Sequence, residues 1–231
     1  MRIALIVTSV AAMGIVAANA QSANAISKIQ FGPLSAIPNG YYELCSAYPD
    51  LCRMKPGRIP VTADGSVTLT SAMMDELKSV NSAVNATITP AYRDTWAPGE
   101  PAGDCKDFAM TKRQRLIDSG WPSSALPAAI VVTAAGELHL VLIARTSEGD
   151  FVLDNLTSQI VPWTKVSYAW EKIQSTTDGL NWRVLQLQRA SPAEPVDGAT
   201  GAVGAAAYAT KSGGVASVTK ASSAASRPIV D

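Results

Sequence analysis

Apolar side chains recur at spacings of three and four along residues 72 to about 86, where Met73, Leu77, Val80 and Val84 form one stripe of an α-helix. Ser71 can cap this helix, and Pro90 stands beyond its end. A second helical pattern starts at or just before Cys105. Asp104 can cap it, Asp107 follows as a capping-box acid, and Phe108, Ala109, Lys112, Leu116 and Ile117 carry the pattern to Gly120, a suitable C-terminal cap. Acids come first in this helix, and Lys112, Arg113 and Arg115 come later. That order suits the helix dipole and predicts a solvated basic face. Further on the period changes. Residues 129–133, 137–145, 150–153 and 182–187 are rich in Val, Ile and Leu, and the links 134–136 and 146–149 are short enough for antiparallel hairpins. Upstream, Pro33, Pro38, Pro49, Pro56 and Pro60 with Gly32, Gly40 and Gly57 predict loops and short turns over 31–60. Helices followed by a meandering sheet predict an α+β domain.

The two ends of the chain depart from this pattern. No charged residue occurs from Ile3 to Ser27, and the stretch runs from Met1-Arg2 through an apolar region to Ala18-Asn19-Ala20, the signature of a signal peptide cleaved after Ala20. An uncleaved membrane anchor is the competing reading, because the uncharged run is long enough to span. Ser9, Ala11, Ala12, Gly14 and the polar Asn19, Gln21 and Ser22 speak against it. Residues 190–231 are mostly Ala, Gly, Ser and Thr, a composition that predicts a low-complexity flexible tail. The organisation expected is a signal peptide at 1–20, one domain at 21–189 and the tail. The protein is then exported, to the periplasm or the medium, with no membrane span after cleavage, and is expected to be a monomer. The 231 residues carry 19 basic and 19 acidic side chains with no Lys/Arg-rich run, which leaves nothing for a nucleic-acid backbone to hold. No dinucleotide, P-loop or zincin motif is present, so no cofactor of those kinds is expected.

The chain contains three cysteines and a single histidine, so any imidazole chemistry falls to His139. Cys105 opens a helix, where the positive end of the dipole favours the thiolate, the reactive form of the side chain. Gly103, in front of it, would let a substrate backbone approach closely. The plain alternative is a buried structural thiol. If the two strands around 146–149 pair with Arg145 opposite Asp150, then Asp154 falls opposite Val141, on the face that carries His139. The two side chains become diagonal neighbours with Cβ atoms roughly 7 Å apart, a gap that a hydrogen bond can close. A register one residue out would place them on opposite faces. Paired in this way, Asp154 would orient the imidazole, His139 would take the Cys105 proton, and the thiolate would attack a carbonyl to form a thioester. The Cys105 N–H is the expected oxyanion donor, with Trp96 either a second contact or a cover for the cleft. Cys45 and Cys52, seven apart around Tyr48-Pro49-Asp50, are expected to pair in an oxidising compartment, contributing about 2–3 kcal/mol through loop-closure entropy. A zinc site built from the cysteines and His139 is the alternative, but its ligands lack metal-site spacing.

Trp96-Ala97-Pro98, the run from Gly103 to Ala109 with Lys112, Leu116 and Gly120, the block 138–142 and Val152-Leu153-Asp154-Asn155 resemble the bacterial transglutaminase-like cysteine proteinase family. The resemblance implies a papain/transglutaminase-like core with the nucleophile helix packed on an antiparallel sheet, a Cys-His-Asp triad of Cys105, His139 and Asp154, and hydrolysis of a protein substrate, in one branch a cell-surface protein. It also implies calcium held beside the cysteine, here by Asp104 and Asp107. Lys106 departs from the acidic residue usual at its position, so calcium is expected to be possible rather than required. An acyl transferase of transglutaminase type would use the same three residues, and a non-catalytic binding module could be built on the same fold.

Overall fold

The structure is a computed structural model that describes residues 28–186. The expected signal peptide and the tail lie outside the described residues. Seven strands form one sheet in the order β1-β9-β8-β4-β5-β6-β7, with every neighbouring pair antiparallel. They are β1 (Gln30–Ser35), β4 (Ala128–Val132), β5 (Leu138–Thr146), β6 (Gly149–Leu153), β7 (Val161–Pro162), β8 (Ala169–Gln174) and β9 (Trp182–Gln186). Two short strands, β2 (Thr89–Pro90) and β3 (Ala102–Gly103), pair in parallel apart from this sheet. The helices are α1 (Tyr41–Ala47), α2 (Pro49–Cys52), α3 (Ser71–Thr87) and α4 (Cys105–Ser119). This is the expected α+β architecture.

Both long helices form where the apolar spacing predicts. In α3 the cap is Thr70 rather than Ser71: Thr70 is extended and its side chain accepts a hydrogen bond from Met73 N, which draws Ser71 into the first turn. In α4 the reciprocal Asp104–Asp107 capping box forms, and Gly120 closes the helix at a φ of 112° that only glycine adopts freely.

Residues 31–60 are more regular than their prolines and glycines suggest, because the two prolines inside regular elements sit where a missing N–H does no harm. Pro33 lies on the edge strand β1, inside a register break between Phe31 and Leu34, and Pro49 occupies the first turn of α2. The Cys45–Cys52 disulfide ties α1 to α2 across a Cα–Cα distance of 5.5 Å, and Cys105 is the free cysteine.

Helices α3 and α4 pack on each other, and α4 packs on β5. Leu140, Leu142, Ala144 and Leu153 of the sheet meet Ala109, Met110, Leu116 and Trp121 in one core, while Val131, Val141, Ile143, Val152 and Ile173 build a second. With apolar groups on both faces, β5 is buried from His139 to Thr146 and reads as a continuous run instead of an alternation.

The basic cluster of α4 is not a solvated face. Arg115 is exposed, but Lys112 and Arg113 are completely buried. The Arg113 guanidinium donates from Nε to the Leu51 carbonyl (3.1 Å) and from Nη1 to the Ser123 carbonyl (3.1 Å) and the Leu126 carbonyl. Its charge holds α2 and the entry to β4 against the helix; charge order along a helix says nothing about which side another segment will cover.

Candidate active site

The cysteine is positioned first. β2 and β3 hold the chain ahead of α4, with Ala91 N donating to the Gly103 carbonyl at 2.8 Å. Asp104 Oδ1 accepts from Lys106 N at 3.0 Å, and Asp107 Oδ2 accepts from Asp104 N at 3.0 Å. The other Asp107 oxygen accepts from Ala97 N at 2.6 Å. One buried carboxylate therefore fastens both the helix start and the segment after Trp96. Burial raises the Asp107 pKa, against the lowering effect of these two N–H groups. Cys105, half-buried, is the first helical residue, so its N–H has no partner within the helix. Gly103 serves this arrangement more than any substrate: a Cβ there would lie 2.3 Å from Asp107 Oδ2.

The imidazole is positioned by the sheet. β5 and β6 pair with Arg145 opposite Asp150 and Leu142 opposite Leu153, the register in which His139 and Asp154 share a face. His139 Nε2 lies 2.8 Å from Asp154 Oδ1. The Cys105 thiol is another neighbour of the ring and acts on its charge; with Nε2 on Asp154, the nitrogen left for it is Nδ1. Burial lowers the His139 pKa, but the Asp154 hydrogen bond and the Cys105 contact together outweigh it and push the value up to about 9. Asp154, just beyond β6, is 1% exposed. Burial raises its pKa, yet hydrogen bonds from His139, Leu156 N and Tyr168 hold it below the usual carboxylate range. Cys105, His139 and Asp154, which are far apart in the chain, are thus brought together.

Trp96 is nearly buried, and its indole N–H donates to the Asn39 carbonyl at 3.1 Å. Its ring stands edge-on to Tyr41 with centroids 5.3 Å apart. With that N–H engaged and the ring part of the main core, packing is the role its contacts support.

Several residues around the site carry no motif. Asn85 Nδ2 donates to the Asp154 carbonyl (2.8 Å) and the Thr157 carbonyl (3.0 Å), and Asn81 Nδ2 donates to the Thr157 and Ser158 carbonyls, both at 3.2 Å. The two amides fasten the turn after Asp154 to α3. Their spacing of four along a predicted helix, beside the apolar stripe, is the signal that could have found them. Tyr168 donates to Asp154 Oδ2 at 2.6 Å, and nothing in its surrounding sequence marks it. Lys112, two helical turns beyond Cys105, is buried with no hydrogen bond to its Nζ; burial pulls its pKa down to about 7, and the Asp154 charge partly offsets this.

Asp104 Oδ2 lies 2.5 Å from Lys106 Nζ and 3.5 Å from Arg93 N, and the Lys106 ammonium also donates to the Arg93 carbonyl at 3.2 Å. Among the described residues no group of three His, Cys, Asp or Glu side chains converges as a metal site, so the zinc alternative has no ligand set there.

Three solved structures of LapG from Legionella pneumophila are similar to this chain. The calcium-bound form is 24% identical, with a TM-score of 0.41, over 44% of this chain and 64% of LapG. A second form is 26% identical, with a TM-score of 0.40, over 44% and 63%, and the EGTA-treated form is 26% identical, with a TM-score of 0.40, over 43% and 62%. The chain therefore spans somewhat less than two thirds of LapG. No curated protein matches the chain. The sequence profile of the bacterial transglutaminase-like cysteine proteinases matches residues 32–190, which include every site residue described above, and the chain belongs to that family.

Proposed function

We propose that this protein is an exported cysteine peptidase that hydrolyses a protein substrate through Cys105, His139 and Asp154. The observation that carries the reading is the His139–Asp154 hydrogen bond of 2.8 Å, with the Cys105 thiol as the other neighbour of the ring at the start of α4. In the reaction His139 carries the proton of the Cys105–His139 pair, and the sulfur, as thiolate, bonds to the substrate carbonyl carbon. The oxyanion that develops accepts from the Cys105 N–H, which the helix leaves free. His139 then gives its proton to the departing amine, the carbon–nitrogen bond breaks, and a thioester remains. Water, deprotonated by His139, attacks the thioester; the acid product leaves with the sulfur expelled as thiolate, and the pair is restored with its proton on His139. Asp154 holds the ring with Nε2 toward itself and stabilises the imidazolium.

The disulfide is compatible with the periplasm or the medium, and no described helix is long and apolar enough to cross a membrane. A cell-surface protein is the substrate class the family suggests. A direct test incubates the purified protein with a glutamine-bearing protein and a fluorescent amine. Fragments are expected. Amine incorporation without fragments would replace hydrolysis with acyl transfer, and failure of a thiol-directed probe to label Cys105 in the folded protein would leave a binding module.

The residues at the start of α4 do not fit calcium. Asp104 Oδ2 and the Arg93 carbonyl already share the Lys106 ammonium, and both Asp107 oxygens accept backbone N–H groups. A tethered cation thus stands among the oxygens that a hard ion would use, so no step is routed through calcium. Calorimetry with 1 mM calcium or excess chelator should leave Tm within about 1 °C; a shift of several degrees, or a loss of peptidase activity with chelator, would overturn this.

A further inference from the structure

We infer that Tyr168 is a positioning residue of the same site, fixing and covering the His139–Asp154 pair, an inference that rests on the peptidase reading above. Tyr168 precedes β8, and β8 is separated from β5 in the sheet by β4 alone, so the side chain reaches the site from a segment that supplies none of the three reactive groups. It touches two of them at once. Its hydroxyl donates to Asp154 Oδ2 at 2.6 Å, and its ring stands edge-on to the His139 ring, with centroids 5.9 Å apart and planes at 72°.

The division of donors on Asp154 gives this contact its consequence. His139 Nε2 and Leu156 N both use Oδ1, at 2.8 Å and 3.0 Å. Two donors on one oxygen leave the carboxylate free to turn about its last bond; a third donor on Oδ2 removes that freedom and keeps Oδ1 aimed at the ring. The half-exposed phenol ring lies against the imidazole, where it limits the access of water to the hydrogen bond that keeps His139 in place. Tyr168 therefore acts on turnover through Asp154 and His139, without contacting the scissile bond.

The groups that face His139 are Asp154 after β6, Cys105 on α4 and Tyr168 before β8, with Lys112 on α4 acting on Asp154 through its charge. Because the chain has one histidine, the imidazole can be followed by NMR without assignment ambiguity. Tyr168→Phe keeps the ring and removes only the hydroxyl. Relieved of one donor, the carboxylate binds its remaining partner more strongly, so in the full chain carrying Cys105→Ala the His139 titration midpoint is expected to rise by at least about 0.3 pH unit on adding Tyr168→Phe.

With Cys105 intact, Tyr168→Phe should lower kcat about 10-fold, leave KM within about twofold and Tm within about 2 °C, and move the acid limb of kcat/KM to higher pH, because Asp154 then protonates more readily. Tyr168→Leu should lower kcat further. An unchanged titration midpoint together with wild-type kcat would overturn the inference, as would a rise in KM at constant kcat, which would make Tyr168 a substrate contact. If the parent protein has no cysteine-dependent turnover, the peptidase reading fails instead, and the NMR midpoint still reports whether the hydroxyl acts on the pair.

Discussion

Cys105→Ala should lower peptidase turnover at least about ten-thousand-fold while leaving the fold intact, with Tm within about 2 °C of the parent. The sulfur is the only nucleophile at the start of α4, and alanine suits a helix N-terminus, so chemistry and stability separate cleanly at this position. Asp154→Ala should cost roughly 100- to 10,000-fold, because the imidazole loses the partner that sets its tautomer and orientation. The pH profile checks the same arrangement. His139 is raised to about 9, so the protonated ring that gives its proton to the leaving amine should persist through neutral pH, and kcat/KM should fall on the alkaline side with a midpoint near 9. The contribution of this pair to stability has the matching sign. The part due to His139 is fully present below its ordinary pKa of about 6.5 and is lost as pH rises through about 9. The part due to Asp154, whose pKa is lowered, is present above the ordinary carboxylate range and is lost on acidification. Retained turnover in Cys105→Ala, or an alkaline limb near the ordinary histidine value, would remove the catalytic assignment.

Arg113→Ala should be the most damaging single change away from the site, lowering stability by about 3 kcal/mol or more in urea unfolding. The side chain is fully buried and binds three carbonyls, those of Leu51, Ser123 and Leu126. Removing it leaves three acceptors without a donor, each at a cost of about 1–3 kcal/mol before relaxation, and opens a cavity where its methylenes packed. Relief of the buried charge works in the opposite direction, since burial has already pulled the guanidinium pKa down to about 10. Three orphaned carbonyls outweigh it. Arg115→Ala, two residues away and exposed, should change stability by no more than about 0.5 kcal/mol. Equal losses in the two variants would show that the Arg113 bonds contribute nothing net.

The elements that could be read in advance are those whose causes are local. A capping box, a C-terminal glycine and an apolar stripe lie within a turn or two of the helices they start, stop and orient, so α3 and α4 were legible nearly to the residue. The β5–β6 register was legible for a related reason. A short link makes Arg145 face Asp150, strand alternation does the rest, and His139 meets Asp154 as a consequence. The missed elements depend on remote partners. β1 is a strand because β9 pairs with it, and β8, with exposed Ala169 and Glu171 in its first half, is one because it is bound between β4 and β9.

The chain's own order of residues thus dictated the helix that carries Cys105, the strand that carries His139 and the hairpin that brings Asp154 to the same face, because each follows from contacts a few residues apart. Packing between distant segments decided the rest. Lys112 and Arg113 are buried because other segments close over α4, the Trp96 indole N–H is engaged because Asn39 lies beside it, and Asp154 gains Tyr168 and Asn85, with Asn81 holding the turn that follows, because α3 and the segment before β8 converge there. A hydrogen bond between residues far apart in sequence leaves no periodic trace in either segment, so only the folded arrangement could reveal it.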